Sequence, residues 1–264
     1  MYEAWKRATT TQGAGGFAVI QTIRSNERYH AETDWLNTHW HFSFDHYHDP
    51  KNMNFGPLRV FNDDVVAPAG GFPFHAHREM EIITYIIEGA IEHRDDMGNT
   101  GVIRPGEIQR MSAGTGVRHS EYNPSKKDPA HLLQLWIMPA VQHLKPSWEQ
   151  KSFSLADRSG KLLPIAVPAG SNGLPRANSA RGAVQIHQDA KIYTSLLAPG
   201  QSTSHQLAQG RRAYIFMIGG NLKLNGETLG PGDQARVTSE RELQLAAPSE
   251  KGAAAADFLL LDLP

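Results

Sequence analysis

The chain predicts an all-β protein, a sandwich or a barrel. Three features of the sequence say so. Short β-branched or alternating stretches recur along it, as at residues 58–66, 82–87 and 130–138. Gly- and Pro-rich turn signals separate them at near-regular spacing. Almost no stretch carries a helical period. Short strands between such turns build sandwiches and barrels.

Taken in order, residues 1–20 are rich in Thr, Gly and Ala and read as a loose arm. Within their end, residues 17–23 alternate apolar and polar and read as a first strand. Residues 35–48 are dense in aromatics and histidines, and rings of this kind usually fill a core. Asp49-Pro50 marks a turn there. Residues 58–66 are strand-like and run into Ala67-Pro68-Ala69-Gly70-Gly71-Phe72-Pro73, a sharp loop. Residues 74–89 follow, and their β-branched second half reads as a buried strand. Turns sit at residues 95–99 and 105–107, and residues 130–138 form a further strand ending at Pro139. Pro164, Pro168, Gly170, Gly173, Pro175 and Gly182 then crowd a segment of weak periodicity. This places a domain boundary, with an N-terminal domain over 1–150 and a C-terminal one over 151–264.

Composition narrows the class. The 264 residues suffice for one large all-β domain or two ordinary ones. With 40% hydrophobic and 20% charged residues, the mix is that of a soluble globule. A net charge of −1 supplies no field to draw in nucleic acid or an anionic membrane. No apolar run is long enough to span a bilayer, and the first seven residues lack the apolar centre of a secretory signal. There is no cysteine, which excludes disulfides, thiolate metal sites, iron–sulfur clusters and a cysteine nucleophile, and favours a cytoplasmic location.

The histidines carry the chemistry. Of 13, nine fall between His30 and His119. His75-Ala76-His77 and His119-Ser120-Glu121 are pairs of metal-ligating residues two apart, and on a strand such residues share a face. Two such strands around one cavity would converge three imidazoles and a carboxylate. Glu81 shares parity with His75 and His77, so either Glu81 or Glu121 can be the carboxylate ligand. Imidazole with carboxylate suits Fe(II), Cu(II), Ni(II), Mn(II) or Zn(II). A lone buried histidine is usually a satisfied core residue. Two ligand pairs, each beside a Gly-rich loop, outweigh that reading, because a buried ionisable cluster without a partner is costly. His93, His131 and His143 are isolated and read as surface or core filler.

The second half repeats the first in outline. Residues 85–89 resemble 215–220, and Pro105-Gly106-Glu107 resembles Pro231-Gly232-Asp233. Counting from these anchors, the positions matching His75, His77 and Glu81 are Gln206, Ala208 and Arg212, and those matching His119 and Glu121 are Leu245 and Ala247. A slip of one residue rescues only His205. The second copy keeps the turns and loses the ligands, so it is expected to hold no metal.

The spacing of Gly71, His75-X-His77-X₃-Glu81 and then Gly116-X₂-His119-X₃-Asn123 resembles the two cupin motifs. The second departs more from the pattern, with Ala113-Gly114 where a cupin often has proline. More specifically, residues 35–50, 58–66, 75–89, 111–124 and 133–139 resemble the pirin family, and within it the bacterial pirin-like proteins with quercetin 2,3-dioxygenase activity. The resemblance implies a bicupin, two antiparallel β-barrels with metal only in the N-terminal one. It implies His75, His77, His119 and Glu121 as ligands. Glu81 is then left beside the site, to line the pocket or orient an imidazole. Fe(II) is the metal it suggests, with Cu, Ni, Mn, Co or Zn as alternatives.

The implied reaction is dioxygenolytic opening of a flavonol ring, releasing carbon monoxide and a phenolic ester, with Glu121 taking the proton of the 3-hydroxyl. The substrates are a planar aromatic flavonol and dioxygen. Phe42, Phe44, Met53, Phe55 and Phe72 are candidate pocket walls. The rival implication is a non-catalytic, metal- and redox-sensing regulator that acts through a protein partner. A sugar-binding or isomerase cupin is a third reading, and no phosphate-cradling glycine loop supports it. No basic stripe suggests direct nucleic-acid contact.

Overall fold

The computed structural model describes residues 9–13, 16–170 and 183–264. Nearly all regular structure is strand. The described helices are the four-residue Leu155–Arg158 and one 3₁₀ turn, Ser25–Glu27. None is long and apolar enough to cross a membrane. The chain forms two compact units. The first comprises Arg28–Leu155 and Pro164–Lys191, the second Met1–Glu27, Ala156–Leu163 and Ile192–Pro264.

The first unit holds two antiparallel sheets. The larger runs in the order Ser147–Ser152, Glu107–Ser112, Glu81–Glu88, Ala130–Ile137, Leu58–Val66, Leu36–Trp40, Tyr29–Glu32. An interior strand, Glu81–Glu88, buries six consecutive residues, which explains its near-continuous β-branched run. The smaller sheet runs Gly71–His77, Val117–Tyr122, Ile91–Asp95, Thr100–Ile103. Burial alternates along Ile91–Asp95 and the His75 end of Gly71–His77, so one face turns inward, while Val117–Tyr122 buries residues 119–121 in succession. Val66, Ile86, Ile91, Ile103, Ala130 and Leu132 form one apolar cluster of this unit.

The second unit repeats this plan. Arg212–Gly219 lies between Gln234–Thr238 and Ala256–Leu263, as Glu81–Glu88 lies between Glu107–Ser112 and Ala130–Ile137. Ser202–Gln206, Glu242–Ala246, Leu222–Leu224 and Glu227–Leu229 follow the strand order of the smaller sheet. The interior differs in chemistry. Leu222, Leu224, Leu243 and Leu245 are fully buried in its apolar core. His205 lies on the strand corresponding to Gly71–His77, but its Nε2 is engaged by Asp262 at 2.9 Å.

One sequence expectation needs correction. Part of the loose arm is ordered backbone: Thr9–Gly13 pairs with Gly16–Ile23, which pairs in turn with Gln234–Thr238. Ladder hydrogen bonds need only backbone groups, so a Thr/Gly-rich composition does not prevent them. Residues 1–8 and 14–15 of that arm lie outside the described residues. The compact units interleave along the chain beyond residue 150. Residues after it return to the first unit, where Ala140 N–H donates to the His187 carbonyl at 2.7 Å and Gln185 N–H to Glu149 at 2.9 Å. Leu163–Pro168 and Val184–Ile186 pair in parallel within the Pro-rich stretch that composition marks as a boundary. Residues 171–182 of that stretch are outside the described residues.

Candidate metal centre

The two ligand pairs lie on neighbouring strands of the smaller sheet. His119 pairs directly with His75, and Val117 with His77. Register then shifts, so that Glu121 sits opposite Phe72 and the His75 strand carries an extra residue at Pro73-Phe74. A bulge at proline costs no ladder hydrogen bond, because proline has none to give. It also turns the Pro73 carbonyl back to accept from His75 Nδ1 at 2.8 Å. That bond leaves His75 Nε2 as the nitrogen with a free lone pair. Glycine is required just before the bulge, since a Cβ at Gly71 would overlap the Glu121 carbonyl oxygen.

The three imidazoles converge. Ring centroids are 4.7 Å apart for His75–His77, 4.5 Å for His75–His119 and 4.8 Å for His77–His119. Their ligating atoms all lie within 4.8 Å of one another. His119 is buried, and its Nε2 has no hydrogen-bond partner. Burial, with the neighbouring His119 and His75, lowers His77 to a pKa of about 3. Burial, with His75 and His93, lowers His119 to about 3 as well. Both rings are therefore neutral near pH 7, the form that ligates metal. His77 also packs edge-on against Trp136, with centroids 4.8 Å apart.

Glu121 is 3% exposed and points into the same interior. Its oxygens accept from Gln134 Nε2 at 2.7 Å and Thr84 Oγ1 at 3.3 Å. Its carboxylate groups with His93 and His119 as a second ligand-like set within 4.8 Å, but not in one set with His75 and His77. Glu81, the other candidate, is turned elsewhere. Its carboxylate accepts from Ser112 Oγ at 2.8 Å and lies 3.3 Å from His187 Nδ1. The imidazole that Glu81 orients is thus His187, which the sequence did not mark, and not one of the three convergent rings.

The candidate wall residues divide. Phe72 stands 6.3 Å from the His75 ring and packs edge-on against Trp35. Phe44 reaches the cluster through Trp136, 5.4 Å away. Phe42 is core packing at 1% exposure and offers no surface to a ligand. Met53 and Phe55 are half-buried in the segment leading into Leu58–Val66.

Sequence reasoning missed His93, Gln134, Thr84 and Trp136. The sequence reads His93 as filler, yet it is fully buried with its Nδ1 3.3 Å from His119 Nδ1. Its signal was parity, since Ile91, His93 and Asp95 share the buried face of their strand. Gln134 and Trp136 sit two apart on Ala130–Ile137, and Trp136 Nε1–H donates to Gln134 Oε1 at 3.2 Å. Only strand order reveals that this strand faces Glu121. His131 pairs with Asp63 at 2.6 Å, and His143 is exposed, its backbone N–H donating to Glu79.

Residues 22–137 match the Pirin family model, and residues 176–263 match the quercetinase C-terminal cupin domain. The quercetin 2,3-dioxygenase of Escherichia coli K12 is 40% identical over 247 residues, covering 93% of this chain and 99% of that protein. A pirin-like protein of Caulobacter vibrioides is 38% identical over 232 residues, covering 88% and 94%. Among solved structures, the bacterial pirin YhhW of Escherichia coli in complex with nickel(II) superimposes with a TM-score of 0.82 at 38% identity, covering 93% of this chain and 99% of that one. Two cupin domains in one polypeptide, with a histidine cluster in the first, place this chain in the pirin family.

Proposed function

We propose that the chain is a metal-dependent dioxygenase that opens the flavonol ring of quercetin-like substrates with release of carbon monoxide. The observation that carries this is the convergence of His75, His77 and His119 beside the buried Glu121. The kinship with an Escherichia coli protein named quercetin 2,3-dioxygenase supports it.

The residues suit a divalent transition metal. His119 Nε2 is a buried nitrogen without a partner, a costly arrangement unless an ion takes its lone pair. His75 Nε2 is released by the Pro73 bond, and His77 stays neutral. The donor set is nitrogen and oxygen, so soft, thiolate-preferring sites are not in question. His75, His77, His119 and Glu121 would hold the ion. Fe(II) is the metal we favour, and the nickel complex of YhhW makes Ni(II) the first alternative to load. When bound, the ion supplies Lewis acidity and a template for substrate and dioxygen.

The chain supplies the rest. Glu121 accepts the proton of the flavonol 3-hydroxyl, and Gln134 and Thr84 hold its carboxylate in place for this. Phe72 and Trp35 present an aromatic wall beside His75 for a planar substrate. In the balanced reaction both atoms of O₂ enter the ester product, and one ring carbon leaves as carbon monoxide.

The test is to load metal-free protein with each ion in turn and follow quercetin loss and carbon monoxide release, with and without air. Oxygen-dependent release that needs the metal supports the proposal. Stoichiometric metal without any flavonol turnover would sink it and favour a metal-responsive regulator.

A further inference from the structure

We infer that His93, faced by Asp95, is a positioning residue that decides which nitrogen of His119 faces the metal. This rests on His119 being a ligand, as proposed above.

The geometry is a string of side chains. His93 Nδ1 lies 3.3 Å from His119 Nδ1. Two ring nitrogens at that distance share one hydrogen, so one donates and the other accepts. The far nitrogen of His93, Nε2, lies 3.6 Å from Asp95 Oδ2 and has no hydrogen-bond partner. A carboxylate facing Nε2 favours its N–H form. With its hydrogen on Nε2, His93 presents a bare Nδ1. His119 must then donate from Nδ1, and its Nε2 is left as a lone pair. That Nε2 is the buried nitrogen without a partner.

The far end of the string is fixed independently. Asp95 Oδ1 accepts from the backbone N–H of Met97 at 3.0 Å and of Asn99 at 2.8 Å, and Oδ2 accepts from Asn99 Nδ2 at 2.8 Å. These bonds hold the hairpin turn between Ile91–Asp95 and Thr100–Ile103. Asp95 also sits directly opposite His119 in the sheet, and His93 opposite Glu121. The turn thus holds Asp95, Asp95 faces His93, and His93 holds His119. His75 reaches the same Nε2-free state by its bond to the Pro73 carbonyl. The two rings are set by different devices, and the His93 device is buried at every link, with His93 at 0% and Asp95 at 7% exposure.

The experiment uses full-length, histidine-¹⁵N-labelled protein in two forms. In the metal-free form, the ¹⁵N shifts of His119 report its tautomer. The Nδ1–H form is expected in the unaltered protein and a mixture in His93→Phe, which keeps the ring volume without its nitrogens. His93→Asn, which keeps an acceptor near Nδ1, should restore the Nδ1–H form. In the loaded form, chelator competition should show metal affinity falling about 10- to 100-fold in His93→Phe and largely recovered in His93→Asn. If His93→Phe does not fold, Asp95→Asn takes its place, with the same direction and a smaller loss. An Nε2–H tautomer of His119 in the unaltered protein would overturn the inference. So would an unchanged tautomer and affinity in His93→Phe, or two metal ions per chain with His93 itself ligating. Failure of the underlying reading looks different: His75→Ala would then bind metal as tightly as the parent, while the metal-free tautomer result stood.

Discussion

Gln134 Nε2 donates to Glu121 Oε2 at 2.7 Å, and its direction is not free, because Trp136 Nε1–H occupies Gln134 Oε1. An indole nitrogen can only donate, so the amide oxygen must face it and the amide nitrogen must face the carboxylate. Removing the amide leaves one oxygen of a buried carboxylate without its donor. Gln134→Leu is expected to lower turnover of the metal-loaded protein about 10- to 100-fold. Steady-state flavonol kinetics, normalised to metal content, check this. An unchanged rate would show that the bond has no part in the chemistry.

Glu121→Gln keeps an oxygen that Gln134 can reach but loses the proton acceptor. The expected result is a fall in kcat of about 10²- to 10⁴-fold, the usual worth of a general base, with KM moving far less. Full turnover at full metal content would remove Glu121 from the role of base.

Asp63 gives a prediction about acid. Burial pushes its carboxyl up, but bonds from His131 and Arg28, both at 2.6 Å, more than reverse this and hold it well below the ordinary 3.8. A carboxyl lowered by folding adds stability above its unfolded pKa and loses it as pH falls through the folded one. Asp63→Asn removes a buried carboxylate that both Arg28 and His131 engage and should cost about 3–5 kcal/mol at pH 7. Urea unfolding at several pH values should show the gap between parent and variant closing as the pH drops below 4.

Asp64, the next residue, points to the opposite face and behaves in the opposite way. Burial, with the charges of Asp63 and Glu121, raises its carboxyl to about 7 despite a hydrogen bond from Thr38. The sign is reversed too. The protein gives up stability as pH rises from about 4 to about 7, and the full penalty stands above that. Asp64→Asn removes the penalty and keeps an acceptor for Thr38. The metal-free variant should be more stable than its parent at pH 8, by on the order of 4 kcal/mol at most, and no more stable at pH 4. Equal stability at both pH values would show that Asp64 is not a strained charge.

Much of the fold was legible because its signals are local. Alternation within Gly71–His77 and Val117–Tyr122 put His75, His77 and His119 on inward faces, and the structure converges them as that parity requires. Turn residues repeated in the second half announced the duplication, and the two units share their strand order. Parity could not choose between Glu81 and Glu121. Both are buried, and they differ in what stands across from them: Ser112 and His187 for one, Gln134 and Thr84 for the other. None of those four partners is near in sequence to the carboxylate it serves, save Gln134 at 13 residues.

The compact units have a related origin. Composition changes near residue 150, but a unit is defined by which strands bond and bury one another. Pro164–Lys191 belongs to the first unit, and Thr9–Gly13 and Gly16–Ile23 pair with each other and with Gln234–Thr238 in the second.

By itself, then, the sequence determined the all-β class, the two-fold repeat and the three imidazoles, because strand period and turn chemistry act over a few residues. Tertiary structure alone decided that Glu81 serves His187, that Gln134 and Thr84 hold Glu121, and that His93 stands behind His119 with Asp95 behind it. These depend on strand order and on the single-residue bulge at Pro73-Phe74, and hydrogen bonds form between whatever the sheet brings within about 3 Å, however far apart the residues lie along the chain.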